Sequence, residues 1–480
     1  MREPRARTTA GVVAGRWHSG RAEFRGIRYA EPPVGDLRFA APVPPAPWSG
    51  VRPATEFGPL PPQSGPVRVD SAHDPDWLTL NVSTPDPGAA GLPVLVWLPG
   101  GGYVISVSSD PTCDPAALCQ AGLVVVSVNY RVGVEGFALI DGAPANRGLL
   151  DQIAALEWVQ HNIARFGGDP ARVCVAGQSA GAGSISALLM LAPGLFRRAI
   201  AHSVPGTFLL PELAARVTEA LAEGTSLRDT DPWQLADRLT AFNAGISGQH
   251  ARWGPLAQLG TGVCPVLDGT VLTATPFQGV PGIELLVGHT RDEFRLFSVM
   301  AGLRGTFTAA NAQTALDLFA PSADGYRAAY PDASPEELLE TVYSDALFRM
   351  PSQQLAEANA CAGGATFLFE LCLPASGLGG TLGACHSLDV PLAFGTLSSP
   401  TGRQVFGETP DAATLRVSGE LQRSWVAFAT TGDPGWAGYQ PDQRLTRVLD
   451  AESRTVPYPE EPSRRIWAGH PPIPIGGTAS

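Results

Sequence analysis

Residues 172–184, RVCVAGQSAGAGS, constrain the fold more than any other stretch of the chain. An apolar run ends at Gly177, a serine follows at position 179, and small residues lead into the apolar segment 184–191. The run reads as a buried strand and the segment after Ser179 as a helix. A strand that turns into a helix within so few residues is sterically crowded, so its flanks must be small. The turn also aims free N–H groups and the positive end of the helix dipole at one point. Ser179 is therefore a candidate nucleophile. The competing reading is a serine that caps the helix. The pattern G-x-S-x-G is too short to decide between them without its surroundings.

Those surroundings repeat one arrangement. PVLVWL (93–98) and LVVVSVN (123–129) are short apolar runs bounded by glycines, and both read as buried strands. LLDQIAALEWVQHNIARF (149–166) has helical spacing and lies between the second and third strands. Strands alternating with helices predict an α/β fold, with a mostly parallel twisted sheet flanked by helices. The first 60 residues, rich in Pro and Gly, read as meander and loop. Helical insertions over the site are expected roughly within 205–260 and 300–380. An amphipathic helix near the end stops at Gly432 and Pro434. A single domain over 1–480 is the simplest organisation.

Composition removes several chemistries. All 33 basic residues are arginines. Without lysine there is no Schiff base, no P-loop lysine and no S-x-x-K hydrolase. The net charge of −12 comes with no basic stripe, so no nucleic-acid partner is expected. Seven cysteines with no C-x-x-C spacing argue against a zinc site or a full disulfide framework. A lone Cys113–Cys119 bridge stays open. No leader or membrane span is visible, so no membrane anchor and a cytoplasmic location are expected. The sequon at Asn81 is then an accident of composition.

Acyl transfer needs donors for an oxyanion, and LPGGGY (98–103) follows a predicted strand directly. Successive glycines let backbone N–H groups approach a substrate without side-chain obstruction. The stretch alone is equally a flexible turn. Beside Ser179 it reads as an oxyanion hole made by Gly101 and Gly102, with the N–H of Ala180 as third donor.

Five longer stretches carry a family resemblance: FRGIRYAEPPVGDLRF (24–39), LTLNV (78–82), VNYRVGVEGF (128–137), NRGLLDQIAALEWVQHNIARFGGDP (146–170) and WVAFATTGDP (425–434). The chain resembles the type-B carboxylesterase family from about residue 17 to about residue 470. These are α/β-hydrolases that include cholinesterases and bacterial p-nitrobenzyl-type esterases. The resemblance implies a Ser-Glu-His triad of Ser179, Glu293 in VGHTRDEFRLF, and His386 in GACHSLDVPLAFG. From the residues alone, eight histidines compete. A glycine-rich approach favours His386, while His202 and His289 lie near apolar runs. Spacing leaves Asp292 and Asp389 open beside Glu293, and the resemblance selects Glu293. His386 would take the Ser179 proton and return it to the leaving alcohol, while Glu293 fixes its tautomer. Ser203 resembles a family position that supports the acid.

The departures matter as well. Gln178 stands where cholinesterase-like members carry Glu. Trp77 replaces a family cysteine, and 56–76 holds no tryptophan to bind a quaternary ammonium. Choline esters are therefore not expected. Phe294 replaces the glycine after the acid, Arg28 a proline, and Pro99 precedes the triple glycine. Cys385 is adjacent to His386 in an extended loop and points away from it.

The expected function is a serine carboxylesterase acting on uncharged carboxylic esters of moderate size through an acyl-enzyme, without metal or cofactor. Its pocket would be apolar, with Tyr103, Phe208, Phe294 and Phe297 as candidate lining residues. A second reading, from a different class, is an inert cholinesterase-like binding module. A third keeps the mechanism and changes the bond to an amide, carbamate or thioester. Oligomeric state is not readable from the sequence.

Overall fold

The structure is a computed structural model that describes residues 2–63 and 74–476. Its frame is an eleven-stranded sheet. The strands are β1 Arg16–His18, β2 Arg21–Arg28, β3 Thr79–Thr84, β4 Leu92–Leu98, β5 Val124–Val128 and β6 Gly168–Gln178. They continue as β7 Arg198–His202, β8 Glu284–Thr290, β9 Thr366–Leu371, β10 Leu445–Leu449 and β11 Arg454–Pro457. The spatial order is β11-β10-β9-β8-β7-β6-β4-β5-β3-β2-β1. The seven central strands, β5 to β10 with β4 among them, run parallel. The outer strands are antiparallel.

The alternation along β4 explains why the sheet is covered on both faces. Val94, Val96 and Leu98 enter one hydrophobic core, and Leu95 and Trp97 enter the other. Side chains on successive strand residues point to opposite faces, so a strand apolar at every position needs two covers. Helices α1 Arg147–Asn162 and α2 Ala180–Leu191 lie on the first face. The long helix α3 Ala412–Thr431 lies on the second, where Trp425 packs against Trp97.

The chain moves outward from β4 to β5, then returns to place β6 on the other side of β4. That reversal opens a crevice at the carboxyl ends of β4 and β6, where open α/β sheets bind ligands. The triple glycine and Ser179 both follow these two strands.

One expectation needs correction. The stretch 300–380 is not insertion throughout, because β9 within it is a central sheet strand. TFLFEL is short and apolar, and such a run alone does not distinguish a strand from a helix segment. The first 60 residues supply β1 and β2 of the main sheet besides loop.

The seven cysteines are unpaired, Cys113 and Cys119 included. Asn81 is buried, donating to Ser108 and Ser127 and accepting from the Gly26 N–H, so its amide holds strands together. Arg28 pairs with Asp76 at 2.6 Å. Residues 64–73 of the tryptophan-free stretch 56–76 lie outside the described residues.

Candidate active site

Ser179 sits between β6 and α2 with φ 56° and ψ −127°, a conformation few non-glycine residues adopt. The turn is as crowded as its sequence implies. A Cβ on Gly177 would lie 2.7 Å from the Gly181 carbonyl carbon, and one on Gly181 would lie 2.1 Å from Leu98 O. The two fixed glycines of G-x-S-x-G are thus set by close backbone approach. Three more residues with positive φ, Tyr103, Ser203 and Ser387, surround Ser179. Each such residue costs about 1–3 kcal/mol, and their concentration here marks the region as functional.

Strand pairing brings the other candidates to the same edge. Ser179 N–H donates to His202 O at the end of β7, and Ser203 N–H donates to Gly288 O of β8. Glu293 follows β8 and His386 follows β9, so both lie at carboxyl ends of parallel strands. Their loops pair with one another: Asp292 N–H donates to Ala384 O, and Ala384 N–H donates to an Asp292 carboxylate oxygen. Glu293 is fully buried. Its Oε2 lies 2.5 Å from His386 Nδ1, while Oε1 accepts from Ser203 Oγ at 2.6 Å and from the Thr290 N–H at 2.8 Å.

The rival acids are engaged elsewhere. Asp292 ties the two loops and pairs with Arg291 and Arg295. Asp389 accepts from His202 Nδ1, and His202 Nε2 accepts from Trp425 Nε1–H at 3.1 Å. Indole nitrogen only donates, so His202 is the neutral tautomer protonated at Nδ1. His289 is buried against Tyr458, and burial pulls its pKa down to about 4. Burial pushes the Cys385 thiol up to about 12, which leaves it protonated and unreactive at neutral pH.

The oxyanion candidates also converge. Gly101 has φ +129°, and a Cβ there would lie 2.4 Å from Ile105 O. Among the described residues, the N–H groups of Gly101, Gly102 and Ala180 have no acceptor. All three residues line one cavity with Ser179, Gln178 and His386. Tyr130 OH anchors the loop by donating to Pro99 O at 2.6 Å.

That cavity measures about 770 Å³. Tyr103, Phe294 and Phe297 line it as expected from the sequence. Phe208 does not: it is buried beyond the wall, edge to face with Phe277. The sequence reading missed Tyr343, Leu347 and Phe348, which complete the wall. The Phe348 ring lies 4.3 Å from the His386 ring and is nearly parallel to Phe297. It sits in a π-helical turn, Asp345–Arg349, which SDALFRM does not announce. Among the described residues, no Asp, Glu or Arg lines the cavity.

Residues 2–457 match the model of the carboxylesterase family. The chain belongs to the carboxylesterase family. This carboxylesterase is 35% identical to phenmedipham hydrolase of Pseudarthrobacter oxydans, over 94% of this chain and 96% of that one. It is 32% identical to para-nitrobenzyl esterase of Bacillus subtilis (strain 168), over 95% and 97% of the two chains. Among solved structures, a PNB esterase superposes with a TM-score of 0.84 at 31% identity, covering 97% of this chain and 99% of that one. A Geobacillus stearothermophilus carboxylesterase also scores 0.84, at 29% identity, covering 96% and 99%. These relatives establish an α/β-hydrolase fold and a carboxylic-ester hydrolase. Among the described residues, no helix of this carboxylesterase is long and apolar enough to cross a membrane.

Proposed function

We propose that Ser179 is the nucleophile of this carboxylesterase, His386 its general base and acid, and Glu293 the group that orients His386. The observation that carries this reading is the 2.5 Å contact between Glu293 Oε2 and His386 Nδ1, beside a cavity that also holds Ser179. A carboxylate at Nδ1 keeps the proton on that nitrogen and leaves the Nε2 lone pair to receive the serine proton. Attack by Ser179 Oγ on the ester carbonyl gives a tetrahedral intermediate. Its oxyanion would meet the N–H groups of Gly101, Gly102 and Ala180. Imidazolium then protonates the leaving alcohol, and water reverses the sequence to release the acid.

The substrate in this reading is an uncharged ester. Among the described residues, no Asp, Glu or Arg on the wall offers a partner for a substrate charge, and desolvating such a charge unpaired is costly. The aromatic wall favours an apolar or aryl group beside the ester. A cytoplasmic location fits the unpaired cysteines, since thiols persist where glutathione keeps them reduced.

A fluorophosphonate probe followed by peptide mass spectrometry tests the assignment, with p-nitrophenyl ester turnover measured in parallel. An adduct on Ser179 and turnover lost in Ser179→Ala are expected. An unlabelled Ser179 together with absent turnover would sink the reading in favour of an inert binding module. Phenmedipham and para-nitrobenzyl esters belong in the substrate panel because relatives carry those names.

A further inference from the structure

The nitrogen that must receive the Ser179 proton already has a partner. Gln178 Nε2 lies 3.1 Å from His386 Nε2. With Glu293 holding the proton on Nδ1, Nε2 of the neutral ring can only accept, so the Gln178 carboxamide is the donor. The amide's other end agrees with this. Ser387 Oγ donates to Gln178 Oε1 at 3.0 Å, which turns the NH₂ group toward the imidazole. Gly100 leaves room for this arrangement, since a Cβ there would lie 3.3 Å from Gln178 Oε1 and 2.7 Å from Gln178 O. Among the described residues, Ser179 Oγ has no hydrogen-bond partner.

We propose that Gln178 is a positioning residue that caps the His386 Nε2 lone pair in the free enzyme, holding the base in reserve until substrate displaces the amide. This inference rests on the proposed roles of Ser179 and His386. An imidazole nitrogen has one in-plane lone pair, so Ser179 Oγ–H and Gln178 N–H compete for it. A carboxylate at position 178 could not compete, because it has no N–H to donate. It would instead favour the imidazolium.

The other charged groups near His386 do not change with residue 178. Glu293 meets Nδ1 from the loop after β8. Asp292 and Arg295 meet the same loop at Gly383, and Asp389 faces His202. Phe297 and Phe348 cover the ring without charge.

The test compares the wild-type full chain with Gln178→Met, Gln178→Glu and Ser387→Ala. The readouts are the second-order rate of fluorophosphonate labelling and the pH profile of kcat/KM for p-nitrophenyl acetate. An ordinary hydrogen bond corresponds to about a two- to tenfold competition. Gln178→Met and Ser387→Ala should therefore label about two- to tenfold faster. Gln178→Glu should move the acid limb of the profile up by about one pH unit, the effect of a nearby opposite charge. Unchanged or slower labelling in both uncapped variants, with an unmoved acid limb in Gln178→Glu, overturns the cap. A wild type that takes no label at Ser179 overturns the nucleophile assignment instead, so the two failures are distinct.

Discussion

Glu293 gives one carboxylate oxygen to His386 and the other to Ser203, at 2.5 and 2.6 Å. The acid is thereby held from a neighbouring strand end, and its second oxygen cannot rotate toward the histidine without losing Ser203. Replacing Glu293 by Gln places an amide against Nδ1. If its NH₂ faces the ring, the proton moves to Nε2 and the base is lost. We expect kcat to fall by about 10⁴-fold, as for the wrong tautomer in serine hydrolases generally. Circular dichroism should be unchanged. Retention of more than a tenth of wild-type kcat would argue that another acid orients His386.

Gly101→Ala tests the oxyanion hole. The new methyl would meet Ile105 O at 2.4 Å, so the loop must shift and carry its N–H groups with it. Loss of one donor costs about 10²–10³-fold in kcat. KM should change much less. A variant with wild-type kcat would remove Gly101 from the proposed hole.

Phe297 stands at the cavity rim, 39% exposed and stacked on Phe348. Phe297→Ala should raise KM for aryl esters about two- to tenfold, the scale of a lost aromatic contact. Acetate esters of small alcohols should be less affected. Equal effects on both substrate classes would place the aryl group elsewhere.

His289 predicts part of the pH dependence of stability. Burial lowers its pKa to about 4 in the folded chain, against an ordinary value of about 6.5. The unfolded chain therefore binds the extra proton throughout that window. Stability from this residue is complete above pH 6.5 and falls by about 3 kcal/mol as pH drops to 4. Urea unfolding at pH 4.5 and 7 should show a smaller pH difference in His289→Gln than in wild type. An identical difference in both proteins would refute the assignment.

The parts of the fold legible in the sequence were those fixed by local chemistry. β4, β5 and β6 are apolar runs between glycines, and the crowding at Ser179 demands small neighbours, so both are written within a dozen residues. β9 was overlooked although Gly363 and Gly364 separate it from the helix Met350–Cys361, because a short apolar run alone does not distinguish strand from helix. Proposing Glu293 over Asp292 depends on tertiary pairing, since Asp292 is tied to Ala384 while Glu293 meets Ser203 and His386. Phe208 was misplaced for a similar reason. Its apolar character suits a wall or a core, and tertiary packing makes the choice. Gln178 was visible as a departure, but its contact with His386 closes across 208 positions of chain.

The proposed reacting groups and part of the cavity wall come from different kinds of backbone. Ser179, Glu293 and His386 follow sheet strands whose ends are laced together, whereas Asn243, Asn311 and Thr314 come from helices Pro232–Gly245 and Ala309–Phe319 in the insertions. Those helices contribute neither a strand to the sheet nor a ligand to the Glu293–His386 pair. That part of the wall is therefore structurally separate from the proposed catalytic groups. Replacing one of these helices offers a route to new ester preferences with the hydrolytic apparatus left in place.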